Sequence, residues 1–431
     1  MKKNVVKKFF SASILVLGVS VIARFFGLIK EMVVASSFGL SAELDTFYLS
    51  LMIPALVIST LTNPLASAFV PRYDQLKNKS ERASMDFMNS VSSSMIALLF
   101  ITSSVYFLVR PVLFEVLGGQ NNLEQDSLIF SLIFSTFIII QGLSNYYLAI
   151  LENLKLFLFT SFGAIFSSLF IIAFVLIDKS ILYLALGFVL GPAFYLLVQF
   201  VVLKKRLSLG LLWVMPFKNL DLSFKQQYGV LFLGSFLMGS TFLIDQTMAS
   251  YVGSESVSAL NYGFRVVALF TGTATLALGS VALPFFSNLH IEGRITEMKE
   301  LLRKVLWLVF GSSFIIVFLV WVFGQDLVSL LFERGNFSAT DSEKVTEIFQ
   351  FYIFQLPFYV GGIVLVRIIS VVQKNKAILL ISGVNFILNI GLNFILLQYW
   401  GLKGIALSTS IVYFISFLLL WGNVRLILST D

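Results

Sequence analysis

The sequence predicts an all-α polytopic membrane protein, with about twelve transmembrane helices in two six-helix pseudo-repeats around a central cavity. Three observations support this fold class. Hydrophobic residues make up 58% of the 431 residues and charged residues only 12%, and the mean hydropathy of +0.92 is too high for a soluble domain. Apolar stretches long enough to cross a bilayer recur along the whole chain. Short sequence patterns of the first half also return in the second half.

The apolar stretches predict twelve spans of roughly 20 residues or more, joined by short connections. The first span follows a basic N-terminus and is predicted to be a retained helix, because its apolar pattern continues without a small-residue cleavage site. The twelve spans lie near residues 9–36, 44–70, 88–117, 126–151, 156–177, 181–203, 227–252, 256–287, 302–324, 345–372, 377–397 and 403–424.

The second half repeats the first at an offset of about 215 residues. The Ala-Ser-Ser-Phe-Gly of residues 35–39 returns as Ala-Ser-Tyr-Val-Gly at 249–253, which places Glu31 opposite Asp245. Because six is an even number, both halves enter the membrane from the same side, as parallel repeats do. The predicted organisation is an N-terminal half at 1–203, a cytoplasmic linker at 204–226 and a C-terminal half at 227–431.

The charges indicate topology and exclude several classes of function. Lys and Arg residues are concentrated in the connections on one side, which predicts a bacterial cytoplasmic-membrane protein with both termini in the cytoplasm. The net charge of +7 therefore reflects topology and not nucleic-acid binding. Cysteine is absent, which excludes disulfides and thiolate metal sites, and His290 is the one histidine and lies in a charged connection, which argues against imidazole catalysis. No cofactor is predicted apart from a coupling Na⁺ or H⁺. The outer connections are too short for the paired catalytic groups of a membrane enzyme, which favours a transporter.

Charged residues inside the predicted spans are the candidate binding groups. Arg24, Lys30 and Glu31 lie in the first span and Arg265 in the eighth. Each such charge disfavours insertion by roughly 2.5–3.5 kcal/mol, so these side chains are expected to face a polar cavity. Arg24, Lys30 and Arg265 together predict a cationic site for a phosphate-bearing ligand, because low dielectric strengthens each contact with phosphate.

Each of these charges also has a structural interpretation. Lys30 and Glu31 could mark the end of the first span, with their charged groups extended to the membrane surface. Arg265 could form an ion pair with Glu31 or Asp245. Asp45, at the start of the second span, could cap that helix or take part in gating.

A second polar set predicts a cation site. Asp245 lies on the seventh span, and Asn385 and Asn389 share one face of the eleventh. Such oxygen ligands suit a coupling Na⁺, and Asp245 alone could carry H⁺. The alternative is hydrogen bonding between helices by the asparagines. Arg367, in the inner half of the tenth span, is expected to extend toward the cytoplasmic surface.

Several segments resemble the MurJ/MviN family of lipid II flippases. They include Arg-Phe-Phe-Gly-Leu-Ile-Lys-Glu at 24–31, Asp-Thr-Phe at 45–47, Ser-Val-Ser-Ala-Leu-Asn-Tyr-Gly-Phe-Arg at 256–265 and Leu-Phe-Glu-Arg-Gly-Asn-Phe-Ser at 331–338. The resemblance covers nearly the whole chain. It implies the multidrug/oligosaccharidyl-lipid/polysaccharide exporter fold, and movement of an undecaprenyl-diphosphate-linked saccharide from the cytoplasmic to the outer leaflet.

Carried over residue by residue, the resemblance implies roles for the charged groups. Arg24, Lys30 and Arg265 would be the cationic residues of the central cavity, with Glu31 and Asp45 as their acidic partners. The implied partners are the lipid-linked saccharide, membrane lipids and proteins of cell-wall or polysaccharide synthesis.

The sequence departs from the family pattern in several places. Lys30 stands where the family usually has Arg, Ala55 and Ile58 where Asn and Arg are common, and Ala268 where an acidic residue is frequent. The family usually has fourteen spans, against the twelve predicted here. The alternative function is therefore a Wzx-like flippase for another polyprenyl-linked surface polysaccharide. A multidrug antiporter of the same fold is disfavoured, because cationic drugs call for an acidic cavity.

Overall fold

The structure is a computed structural model that describes residues 2–118, 127–154, 156, 159–207, 214–218, 220–372, 374 and 376–430. For residues 2–17, 66, 118, 127, 160–161, 206–207, 276–277, 279–284 and 430, it describes the backbone alone.

Across these described ranges the chain forms α-helices joined by short turns, with no β-strand. The helices are α1 (Lys2–Phe38), α2 (Ala42–Lys77), α3 (Glu81–Gly118), α4 (Ser127–Asn153), α5 (Phe159–Ile177), α6 (Ile181–Leu207), α7 (Leu222–Ser250), α8 (Ser256–Ile291), α9 (Ile295–Phe332), α10 (Ala339–Tyr352), α11 (Leu356–Val371), α12 (Lys376–Trp400) and α13 (Leu402–Thr430). A 3₁₀ turn, Ile353–Gln355, joins α10 to α11.

The helices agree with the predicted all-α membrane fold. Nine helical stretches in the described part of the chain are long and apolar enough to cross a membrane, and Phe162–Ile177 is a shorter apolar helix. The predicted span at 345–372 is interrupted by the 3₁₀ turn, and Pro357 follows in the first turn of α11. Proline removes a backbone donor, so it fits there, where that donor has no helical partner. With α10 and α11 counted together, the described part of the chain has twelve helices, which is roughly consistent with the twelve predicted spans.

The chain divides into two compact units. Unit 1 comprises Met1–Gly39 and Thr46–Phe236, and unit 2 comprises Leu40–Asp45 and Leu237–Asp431. Leu40–Asp45, which includes the first turn of α2, thus belongs to unit 2, although α1 and most of α2 belong to unit 1. The division into two halves joined by a linker at 204–226 remains a prediction. Residues 208–213 and 219 of that linker lie outside the described part of the chain.

Close packing of α5 against α6 is a main feature of unit 1. Gly187 and Gly191, one turn apart on α6, lie against the backbone of α5. A Cβ atom on Gly187 would lie 2.9 Å from the Cα of Ile171, and one on Gly191 would lie 2.6 Å from the Cα of Ser167. Small residues at this spacing let two membrane helices approach closely and gain van der Waals contact.

A hydrophobic core joins five helices of unit 2. Buried side chains of α8, α9, α11, α12 and α13 form it, among them Phe286, Leu302, Leu365 and Val424.

At another place in unit 2, α10 begins with a capping box. Ser338 Oγ accepts from the Asp341 amide at 3.2 Å, and Asp341 Oδ2 accepts from the Ser338 amide at 2.9 Å. The start of α10 is therefore fixed by local side chains as well as by packing.

We expect Gly191→Leu to destabilise the protein, because the new side chain would collide with the α5 backbone. Overpacking of this kind costs about 1–3 kcal/mol, and the backbone atoms that it meets cannot move aside as a flexible side chain can. The melting temperature of the purified protein should fall by several degrees. Gly311→Leu on α9 is the matched control, since no atom from another helix of the described chain lies within 4 Å of its Cβ position. Equal melting temperatures for the two variants would contradict this account of the packing.

Candidate substrate and cation sites

Lys30 and Glu31 lie within α1 and not at its C-terminal end. Lys30 Nζ contacts Glu31 Oε1 at 2.6 Å, and their side chains are 18% and 13% exposed. The helix continues to Phe38, and Val34, Ala35 and Phe38 beyond the pair are buried. This placement argues against the interpretation that the pair marks the end of the span. The ion pair lowers the cost of holding both charges at low dielectric.

The remaining predicted cations are divided between the units. Arg24 is half-buried on α1 in unit 1, and Arg265 is half-buried on α8 in unit 2. The expectation that Arg24, Lys30 and Arg265 form one cationic patch therefore stays a prediction.

Asp45 caps a helix, but a different helix from its own. The α2 N-terminus is capped by Ser41, whose Oγ accepts from the Leu44 amide at 3.2 Å. The carboxylate of Asp45 is fully buried and accepts from the amides of Val257 at 3.3 Å and Ser258 at 2.6 Å. These amides are in the first turn of α8, where the N-cap residue makes no side-chain capping bond. The interpretation that Asp45 caps the second span is wrong, because its carboxylate instead satisfies the open amides of α8.

Asp245 lies at the centre of a buried polar cluster in unit 2. Its Oδ1 accepts from Asn389 Nδ2 at 3.0 Å and from Asn393 Nδ2 at 2.5 Å. Its Oδ2 accepts from Thr409 Oγ1 at 3.1 Å. The carboxylate from α7 is thus held by two amides of α12 and one hydroxyl of α13. Three donors aimed at one carboxylate stabilise its charged form away from water.

Only part of the cation site predicted from Asp245, Asn385 and Asn389 agrees with this geometry. Asn389 contacts Asp245 as expected, whereas Asn385 donates to Ser416 Oγ at 2.9 Å. Asn393 and Thr409 also take part in the cluster, although they were not predicted from the sequence. The signal for Asn393 was present, because asparagine recurs every fourth residue at 385, 389 and 393 and these positions share one helical face. Thr409 had no comparable signal.

The Asp245 cluster opens onto a cavity of about 350 Å³ within unit 2. Leu237, Phe358 and Leu420 contribute apolar wall, and Arg367 lines the same cavity. Arg367, for which the sequence favoured extension toward the membrane surface, therefore faces a cavity that also contains Asp245. The polar lining is completed by Thr241, Thr275, Tyr359, Ser382, Asn385, Asn389, Thr409, Tyr413 and Ser416.

The chemistry of the cluster fits a small monovalent cation better than a transition metal. Within the described ranges, no three His, Cys, Asp or Glu side chains come together as metal ligands. The buried Oδ1 of Asn393 accepts no hydrogen bond from the residues that the structure describes. Rotation of this amide would turn that oxygen toward Asp245. One carboxylate with neutral amide and hydroxyl oxygens is a donor set for a hard cation of low charge.

We expect Asp45→Ala to weaken the start of α8, because two amides would lose a charged acceptor. Charge-assisted bonds of this kind contribute about 1.5–3 kcal/mol. Hydrogen exchange of peptides covering 256–260 should become faster and the melting temperature should fall. Glu43→Ala is the control, since Glu43 is an exposed carboxylate in the same turn of α2. Unchanged exchange in Asp45→Ala would contradict the capping role.

Solved structures of transporters have the same fold. The chain resembles a structure described as "Lipid II flippase MurJ, inward closed conformation", with a TM-score of 0.82 and 22% identity over 96% of this chain and 87% of that one. It also resembles an inward-facing multidrug resistance MATE family transporter of the MOP superfamily, with a TM-score of 0.78 and 12% identity over 97% and 98% of the two chains. At these identities, the likeness is one of fold.

Sequence relatives and a family model agree with this fold. A probable lipid II flippase MurJ of Thermotoga maritima is 28% identical, over 92% of this chain and 82% of the relative. Another, from Buchnera aphidicola subsp. Baizongia pistaciae, is 27% identical, over 97% and 83%. The family model described as "Lipid II flippase MurJ" matches residues 34–427. Because this match covers most of the sequence, the chain belongs to the lipid II flippase MurJ family.

Proposed function

We propose that this protein is a flippase that moves lipid II from the cytoplasmic to the outer leaflet of the bacterial cytoplasmic membrane. The observation that supports this proposal most strongly is the match to the MurJ family model over residues 34–427. A flippase is a transporter, so the protein would make and break no covalent bond in its substrate. The multi-pass helical structure provides the membrane domain that such transport requires.

Arg24, Lys30 and Arg265 are the proposed binding groups for the diphosphate of the substrate. Guanidinium groups bind phosphate oxygens through two parallel hydrogen bonds, and an ammonium group adds a point charge. Lys30 is paired with Glu31 at 2.6 Å, so phosphate would compete with that carboxylate for Lys30. Release of Glu31 on substrate binding would give this acidic partner a part in gating. The prenyl tail would stay in the lipid.

Alternating access is the proposed mechanism, with Na⁺ as the coupling ion. A bound ion can shift a conformational equilibrium only through its different affinities for the two states. Asp245, Asn389, Asn393 and Thr409 are the proposed ligands, with the amide oxygens turned toward the ion. The alternative is that Asp245 carries H⁺, for which no rearrangement of the amides is needed.

The proposed orientation places both termini in the cytoplasm, because the basic connections are concentrated on that side. Lipid II would then enter from the leaflet in which it is made and leave toward the leaflet in which it is used. Enzymes of cell-wall synthesis that make or consume lipid II are the proposed protein partners.

The direct test is replacement of the resident flippase. We expect this chain to restore growth and outer-leaflet lipid II in bacterial cells depleted of their own lipid II flippase. Arg24→Ala and Arg265→Ala should each reduce flipping at least about tenfold, because a charge-assisted bond contributes about 1.5–3 kcal/mol. Arg110→Ala is the matched control, since Arg110 donates to the Phe107 carbonyl at 2.9 Å and belongs to no proposed site.

Each outcome of the replacement has a distinct meaning. Full activity of correctly inserted Arg24→Ala and Arg265→Ala would contradict the cationic site and leave the flippase function intact. Failure of the well-expressed parent chain would contradict lipid II as the substrate. Rescue of a strain that lacks a flippase for another polyprenyl-linked polysaccharide would then favour the Wzx-like alternative.

We expect sodium to stabilise the purified protein relative to potassium at equal ionic strength. Sodium at ten times its dissociation constant would add about 1.4 kcal/mol of stability through binding to the native state alone. Asp245→Asn and Asn393→Ala should abolish this difference, and Asn385→Ala should keep it, because Asn385 contacts Ser416 instead. A response to pH in place of sodium, lost in Asp245→Asn, would favour H⁺. Indifference to both ions would exclude coupling at this cluster.

A further inference from the structure

A second cavity in unit 2 is distinct from the cavity that contains Asp245. Its volume is about 300 Å³, and it lies between the first turns of α9 and the last turns of α13. Its apolar lining comes from Leu302, Val424 and Leu428, which are only 1–4% exposed because they also belong to the core of unit 2. This part of the cavity is therefore formed by the packed core of unit 2.

Cationic and aromatic side chains complete the lining. Lys299 from α9 and Arg425 from α13 contribute the two charges, and Trp421 lies one turn before Arg425. All three side chains are exposed. A tryptophan beside basic residues at the end of a membrane helix is typical of the boundary between hydrocarbon and headgroups.

The ion pairs near this cavity involve other cations. Arg294 contacts Glu297 at 2.5 Å and Glu292 at 2.7 Å, and Lys304 contacts Glu300 at 2.8 Å. Within the described part of the chain, neither Lys299 nor Arg425 forms an ion pair. Glu292, Glu297 and Glu300 thus pair with other bases, and Lys299 and Arg425 contribute positive charge to the cavity.

We propose that this cavity binds an anionic glycerophospholipid of the surrounding bilayer. The phosphate would lie between Lys299 and Arg425, the glycerol region would contact Trp421, and an acyl chain would follow the apolar lining. A membrane phospholipid fits because the cavity combines a cationic rim with an apolar interior at the ends of two predicted spans. This lipid would be bound in addition to the transported substrate, and its site involves none of the proposed transport residues.

Quenching of Trp421 fluorescence tests the proposal on the full chain in detergent micelles. The signal from this tryptophan is obtained by subtracting a Trp421→Phe variant, because the chain contains five tryptophans. Phosphatidylglycerol with brominated acyl chains should quench Trp421 at lower concentration than the matching brominated phosphatidylcholine. In Lys299→Gln/Arg425→Gln, the phosphatidylglycerol concentration for half-quenching should rise about thirtyfold, from the loss of two cations near the headgroup.

The matched control is Arg294→Gln/Lys304→Gln. It removes the same charge from the same region, but its two cations already have carboxylate partners, so quenching should stay within about twofold of the parent chain. Circular dichroism verifies that both double variants fold.

Three results would overturn the proposal. Equal quenching by the two brominated lipids would exclude selection of an anionic headgroup. Equal loss of quenching in both double variants would show that net charge alone, and not a specific site, explains the lipid binding. Displacement of brominated phosphatidylglycerol by millimolar glycerol 3-phosphate would show that the ligand is a soluble phosphate ester and not a membrane lipid.

Discussion

The hydrocarbon interior of the bilayer offers no partner for a backbone amide, a backbone carbonyl or a charged side chain, and this constraint accounts for most of the structure. A helix satisfies the backbone groups within one segment, so every membrane-length apolar element that the structure describes is helical. Hydroxyl side chains obey the same constraint: Thr62 donates to the Ile58 carbonyl at 2.8 Å, and Ser92 donates to the Met88 carbonyl at 2.8 Å. Small polar residues are therefore placed inside helices at little cost.

Charged groups meet this constraint in three different ways. Lys30 and Glu31 neutralise each other as neighbours on one helix. Asp45 accepts from the open amides at the start of α8, so its counter-charge is a helix dipole. Asp245 has neutral donors alone among its described contacts, and its charge is therefore the best placed of the three to attract a mobile cation. The proposed coupling role of Asp245 follows from this difference.

The candidate sites were partly predictable. Arg24, Lys30, Glu31 and Asp245 could be singled out from the sequence, because a charge in an apolar stretch is costly and therefore informative. The partners of these residues could not be predicted from the sequence, since they depend on how helices distant in the sequence pack. Asp45 caps α8 and not α2, and Asn385 faces Ser416 and not Asp245. The cavity proposed to bind an anionic lipid could not be predicted from the sequence either, because Lys299 and Arg425 come together only when α9 packs near α13.

By itself, the sequence determined the fold class, the approximate spans, the internal repeat and the family, because all of these depend on local hydropathy and on short motifs. The tertiary structure decided which groups come into contact. Asn393 and Thr409 donate hydrogen bonds to Asp245, and Gly187 and Gly191 pack against the α5 backbone. Ser41, and not Asp45, caps the start of α2. The physical reason is that hydropathy is a property of each segment alone. A hydrogen bond between helices depends instead on their rotation and depth, which are set by packing over the whole unit.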